Sequence, residues 1–207
     1  EKKRPAKPFE DLGELRDGFR TWIGEALRLH PDSVKDLYRL GMFESQVEAR
    51  KDKPALRAFS KALEAWDGLP ARLKARGDMQ KYRHRTLYAG ARSALRLGKL
   101  GWARRLAFQV VREDTAGDHV ERVFQLGMAG KVCLATRELD AAERAFRLAL
   151  DAPGPKSRDF LFGYLAEARE LQGDLEGAIG AIADHVPATR RAAFLWRQLG
   201  DLYVRAG

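Results

Sequence analysis

Apolar residues recur along this chain at steps of three and four. Phe9, Leu12, Leu15, Phe19, Trp22, Ile23, Ala26 and Leu27 trace one stripe of a helix. Leu37, Leu40, Met42, Phe43 and Val47 predict a second helix, and Ala55, Leu56, Phe59, Ala62, Leu63 and Trp66 a third. The same spacing predicts helices over about 79–97, 100–113, 119–136, 140–151, 158–172, 175–185 and 190–206. No run alternates with period two and strand formers are scarce, so the expected class is all-α with about ten helices.

Polar punctuation separates these stretches. Ser33 with Asp36, and Asp140 with Glu143, have capping-box spacing. Asp52 precedes Lys53-Pro54, a cap with proline in the first turn. Ser157 follows Pro153-Gly154-Pro155, and Thr189 follows Pro187. Gly98 and Gly173 sit where a left-handed residue would end a helix. Connections of about two to six residues predict antiparallel neighbours.

Aligned on itself, the chain repeats. Ala142, Phe146 and Ala149-Leu150 share their frame with Ala55, Phe59 and Ala62-Leu63, and weaker copies start at Ala103 and Ala178. From Ala55 to Ala103 is 48 residues, from Ala103 to Ala142 is 39, and from Ala142 to Ala178 is 36. Trp196, Leu199, Gly200 and Tyr203 follow the W-x2-L-G-x2-Y spacing, and Phe162, Leu165, Ala166 and Arg169 lie 34 residues earlier. Leu126, Gly130, Ala142, Phe146 and Ala149 fit the same frame. On these residues the chain resembles the tetratricopeptide repeat family over roughly 34–207.

That resemblance implies a right-handed α-solenoid of antiparallel helix pairs. It places repeats at about 34–70, 79–117, 119–156 and 158–188 and a terminal helix at 190–206, after a basic tail at 1–8 and an N-terminal helix at 9–33 read from charge and apolar spacing. About 14 residues between Trp66 and Lys81 exceed the family period and predict a lengthened or added helix. Gly207 falls one helix into the last copy, so that helix either caps the stack or the sequence is a piece of a longer protein. A two-helix repeat cannot bury its apolar face alone, so Ala103, Ala142 and Ala178 are expected at close helix crossings. Phe59, Phe146, Leu165 and Leu199 are then core, with Cys133 a small buried hydrophobe.

Charge sharpens the picture at one place. The net charge is +9. Residues 71–105 carry eleven Lys and Arg against Asp78 alone, whereas the flanking stretches are nearly balanced. Lys81, Arg85, Tyr88, Arg92, Arg96 and Lys99 follow helical steps on one face. The resemblance implies that the first helix of each repeat lines a concave groove, which Lys131 continues in the next repeat. One reading is a cationic groove for an acidic peptide, a terminal carboxylate or nucleic-acid phosphate. The other pairs Arg92 and Arg96 internally with Glu44 and Glu48, or leaves the stripe solvated.

The remaining chemistry is sparse. Cys133 is the sole cysteine, and His30, His84, His119 and His185 are far apart along the chain with no metal-ligand spacing. There is no glycine-rich phosphate loop, nucleophile elbow or His-Glu-x-x-His helix. No cofactor and no enzymatic activity are expected. The family's carboxylate clamp for chaperone tails uses Asn, which this chain lacks, so that partner is not expected. Arg outnumbers Lys by 26 to 12, with three Ile and no Asn, as a GC-rich genome encodes. With no apolar run near the roughly 18 residues of a membrane span, the expectation is a bacterial, cytoplasmic scaffold that docks a protein or acidic peptide. The alternatives are nucleic-acid binding through 71–105, or service as the regulatory or sensory arm of a larger protein. The sequence leaves the oligomeric state open.

Overall fold

A computed structural model describes residues 12–46, 51–154 and 158–207, and among them every regular element is a helix. The Lys2–Pro8 tail, Phe9, Val47, Glu48, Pro155 and Ser157 lie outside the described residues. No helix among them is long and apolar enough to cross a membrane. The chain divides into two compact units, residues 1–83 and 84–207.

The first unit holds α1 (Leu12–Leu29), α2 (Val34–Gln46), α3 (Asp52–Asp67), the one-turn α4 (Ala71–Lys74) and the opening of α5 (Gly77–Arg96). Helix α1 packs on α2, and α2 on α3. Ile23 anchors α1 at 1% exposure, while Phe19 stacks on Phe43 at 4.6 Å between ring centres. Gly41 lets α2 approach α3 so closely that a Cβ there would overlap the Phe59 ring. The added helix expected between Trp66 and Lys81 is α4.

The second unit continues from α5 through α6 (Leu100–Glu113), α7 (Arg122–Ala135), α8 (Leu139–Asp151), α9 (Asp159–Leu171), α10 (Leu175–Ala183) and α11 (Ala193–Ala206). Helices pack as sequence neighbours: α7 on α8, α9 on α10, with α6–α7, α8–α9 and α10–α11 contacts joining the pairs. Phe146, Leu161, Ile182, Leu195 and Leu202 are almost fully buried in one continuous core. Ala103, Ala142 and Ala178 have no exposed surface. Gly130 of α7 repeats the role of Gly41, since a Cβ on it would lie 2.5 Å from Cε1 of Phe146.

The same turn closes three helices. After α5, Gly98 has φ +66° while Lys99 N–H bonds Ala94 O at 2.9 Å and Gly98 N–H bonds Leu95 O at 3.0 Å. After α9, Gly173 has φ +86°, with Asp174 N–H on Arg169 O and Gly173 N–H on Glu170 O. After α7 the residue is Arg137 at φ +63°, with Glu138 N–H on Cys133 O and Arg137 N–H on Leu134 O. Positions 98, 137 and 173 are separated by 39 and 36 residues, the steps between Ala103, Ala142 and Ala178. Both expected glycines are left-handed, and an arginine fills the middle position.

The capping expectations divide. Ser33 and Asp36 make half of their box: the Ser33 hydroxyl accepts from Asp36 N–H at 3.4 Å and donates to Asp36 Oδ2 at 2.7 Å, while Ser33 N–H goes to His30 O rather than to the carboxylate. Asp52 is corrected to the first helical residue, with Lys51 at the cap. Asp140 and Glu143 form no box because Asp140 lies inside α8, with Glu138 at the cap; Gln172, just past α9, donates to Asp140 at 2.9 Å and Arg169 of α9 to Glu143 at 3.2 Å. Helix α8 starts one residue earlier than expected, capped in backbone only by Glu138. Thr189 lies in a short 3-10 turn, Ala188–Arg190, so the last helix begins at Ala193 rather than 190.

Burial raises the pKa of the Cys133 thiol, with Glu138 adding to the rise and Arg104 and Arg144 opposing it. At 1% exposure Cys133 will not react with a soluble thiol reagent until the protein unfolds, as a thiol titration with and without denaturant will show. Gly130→Ala will destabilise the fold by about 1–3 kcal/mol in urea unfolding, because the Phe146 ring must move. Gly200→Ala, with open space at its Cβ, will stabilise α11 by up to about 1 kcal/mol.

Candidate functional site

The first helices of three successive pairs build one groove in the second unit. Its walls are Leu95 of α5, Lys131, Leu134 and Ala135 of α7, Arg137 of the following turn, and Tyr164, Glu167 and Leu171 of α9. The volume is about 450 Å3, room for a few side chains of a docked chain. Small residues on the buried sides of α7 and α9 bring these helices close, with Gly127 facing Leu161.

Charge in the groove is mixed. The Lys131 ammonium lies 4.2 Å from the centre of the Tyr164 ring and 6.0 Å from that of Phe160. The ring face holds the cation without neutralising it. Glu167 lines the same groove, and burial raises its carboxyl pKa; Glu170 adds to the rise and Arg137 opposes it. The Tyr88 phenol is also pushed up, chiefly by burial, with Arg92 opposing and Tyr164 adding.

Of the seven residues singled out in the sequence, Lys131 lines this groove. Tyr88 and Arg92 interact electrostatically beside it, and both are half-buried. The Arg92 Nε is buried and has no hydrogen-bond partner among the described residues. Arg96 is exposed and donates to Ser93 Oγ at 3.4 Å. Arg85 is exposed and donates to the His119 carbonyl at 3.3 Å. Lys99 is exposed in the turn that opens α6. Lys81 is exposed and belongs to the first unit. Glu44, the expected internal partner, is buried and accepts from Arg20 Nε at 3.4 Å.

Linear spacing concealed a second cluster. His84 on α5 and His119, 35 residues later, share a hydrogen bond between their Nδ1 atoms at 2.8 Å. Asp114 Oδ1 is 3.8 Å from each of these nitrogens. The loop after α6 folds around the Asp114 carboxylate, which accepts from the N–H of Asp118 at 3.0 Å, His119 at 3.3 Å and Val120 at 2.9 Å. Gln125, wholly buried on α7, donates Nε2 to Asp114 Oδ2 at 2.9 Å and to Val120 O at 2.6 Å. Arg122 steadies Gln125 from the same turn at 2.9 Å. This loop is why α7 starts at Arg122 rather than at 119. Nothing in the sequence marked the cluster, because the burial of Asp114 and Gln125 exists only in the folded chain.

No protein-family model and no curated protein matches the chain.

Removing the Asp114 carboxylate strands the buried Val120 N–H and takes the acceptor from the part-buried N–H groups of Asp118 and His119, while the Gln125 amide keeps Asp114 O and Val120 O. Asp114→Ala will therefore cost about 3–5 kcal/mol in urea unfolding, whereas exposed Asp118→Ala will stay within about 0.5 kcal/mol.

Proposed function

We propose that this chain is a non-enzymatic scaffold of tetratricopeptide-like helix pairs, wound right-handed, whose first-helix groove docks an acidic peptide segment of a partner protein. The observation that carries the reading is the placement of Lys131: a cation held over Tyr164 inside a groove built by three first helices and the turn that bears Arg137. The recurrent turn at positions 98, 137 and 173 supports a repeating pair as the structural unit. The excess positive charge of residues 71–105 supports an acidic ligand, because it draws such a segment towards α5. Leu95, Leu134 and Leu171 then take apolar side chains of the ligand while Lys131 takes a carboxylate.

Glu167 gives the reading an internal check. Its carboxylate opposes an acidic ligand, and its raised pKa eases protonation when one arrives. In fluorescence anisotropy with a labelled Glu/Leu-rich peptide, Lys131→Glu will weaken binding about tenfold and Glu167→Gln will tighten it by up to about fivefold. Circular dichroism will be unchanged in both variants. If the peptide does not bind and a single-stranded oligonucleotide does, with affinity falling steeply in salt, the basic segment is a phosphate-binding surface and the scaffold reading fails.

A further inference from the structure

The three donor atoms of His84, His119 and Asp114 outline a metal site. Their separations are 2.8 Å between the two Nδ1 atoms and 3.8 Å from each to Asp114 Oδ1. The point equidistant from the corners of that triangle is about 2.0 Å from each, the bond length of zinc to imidazole nitrogen and carboxylate oxygen. A tetrahedral centre with such bonds spaces its donors about 3.3 Å apart, so binding opens the two nitrogens and draws Asp114 Oδ1 towards them, each by about half an ångström. We propose that His84 Nδ1, His119 Nδ1 and Asp114 Oδ1 bind one divalent transition cation of the zinc type, with the fourth position open to water on the His119 side.

Burial and surroundings support the assignment independently of the triangle. The side chains of Asp114 and His84 are 3% and 9% exposed, while His119 reaches solvent at 18%. Asp114 Oδ2 accepts from His119 N–H, Val120 N–H and Gln125 Nε2, which hold the carboxylate rigid; Oδ1 accepts from Asp118 N–H at 3.0 Å and is the oxygen 3.8 Å from both histidine nitrogens. Such outer hydrogen bonds orient a metal ligand. Glu113 Oε2 is 3.9 Å from His84 Nε2, the opposite edge of that ring. A carboxylate there favours the proton on Nε2, leaving His84 Nδ1 as acceptor and His119 as donor in their mutual hydrogen bond. On binding, the His119 proton passes from Nδ1 through solvent to Nε2; no net proton is released, and each ring donates a lone pair to the cation. An N2O set with nitrogen in the majority suits zinc, cobalt, nickel or copper and disfavours calcium and magnesium.

The test uses the full chain stripped with a chelator and titrated with zinc by calorimetry, and with cobalt by visible absorption. One equivalent will bind, cobalt will show ligand-field bands of a four-coordinate site, and the unfolding temperature will rise with zinc concentration. His119→Ala, in the loop, will lose more than the 10–100-fold that an outer-shell change costs, and Glu113→Gln will fall within that range. His185→Ala, stacked on Phe162 elsewhere, will bind as wild type does. Circular dichroism of apo His119→Ala checks that its fold is intact; should it be lost, the cobalt bands and zinc-dependent stabilisation of the wild type stand as the readout. Absence of one-equivalent binding to the wild type, or undiminished binding by a folded His119→Ala, overturns the proposal.

Discussion

Everything in the second unit depends on how close a first helix can come to its partner. Gly130 and Ala142 present no side chain beyond a methyl where α7 meets α8, so the Phe146 ring fills the space a larger residue would need. Ala103 and Ala178 occupy the corresponding places in the neighbouring pairs and are fully buried. Close approach is also what the turn between the helices must permit. One left-handed residue and two backbone hydrogen bonds reverse the chain in the fewest residues, at 98, 137 and 173 alike. The middle turn does this with Arg137, whose Cβ makes a left-handed φ costly by about 1 kcal/mol. It is tolerated because the flanking helices fix the turn from both sides.

Helix packing then decides what faces outward. With the alanine and phenylalanine stripes turned into the core, Lys131 and Glu167 line the first-helix side, and Tyr164 joins the two by stacking on Phe146 while lining the groove. That is how a pattern serving stability produces a groove with chemistry in it. Helix α7 is apolar around most of its girth, and Lys131 is the charged residue that interrupts it between Gly130 and Val132. A cation is held half-buried there because an aromatic face on α9 supports it.

The helices were legible in the sequence because three- and four-residue periodicity reports directly on which face is buried. Gly98 and Gly173 were legible because few other residues adopt their backbone. Arg137 was not, since nothing about an arginine announces a left-handed turn. The capping box at Asp140 and Glu143 failed for a related reason: local spacing was satisfied, but α8 begins at Leu139, so Asp140 lies inside the helix, and Gln172 and Arg169 take the two carboxylates. The groove was half legible. Helical phase picked out the face bearing Tyr88 and Arg92, and the family resemblance pointed to Lys131, yet Leu95, Tyr164 and Glu167 carry no mark that separates lining from core or surface. The His84–His119 cluster was hidden altogether. Its members come from α5 and an irregular loop, and only a buried aspartate gathering backbone N–H groups brings them together.

The central claim is that ligand recognition lies on the first helices of the second unit. Amide and side-chain chemical-shift mapping by NMR, during titration with an acidic, leucine-containing peptide, tests it most directly. The account predicts shifts concentrated at Leu95, Lys131, Leu134, Tyr164 and Glu167, with α6, α8 and α10 quiet on their outer faces. Shifts centred on those outer faces, or scattered over exposed cations such as Arg112, Arg144 and Arg147 in proportion to charge alone, would contradict it.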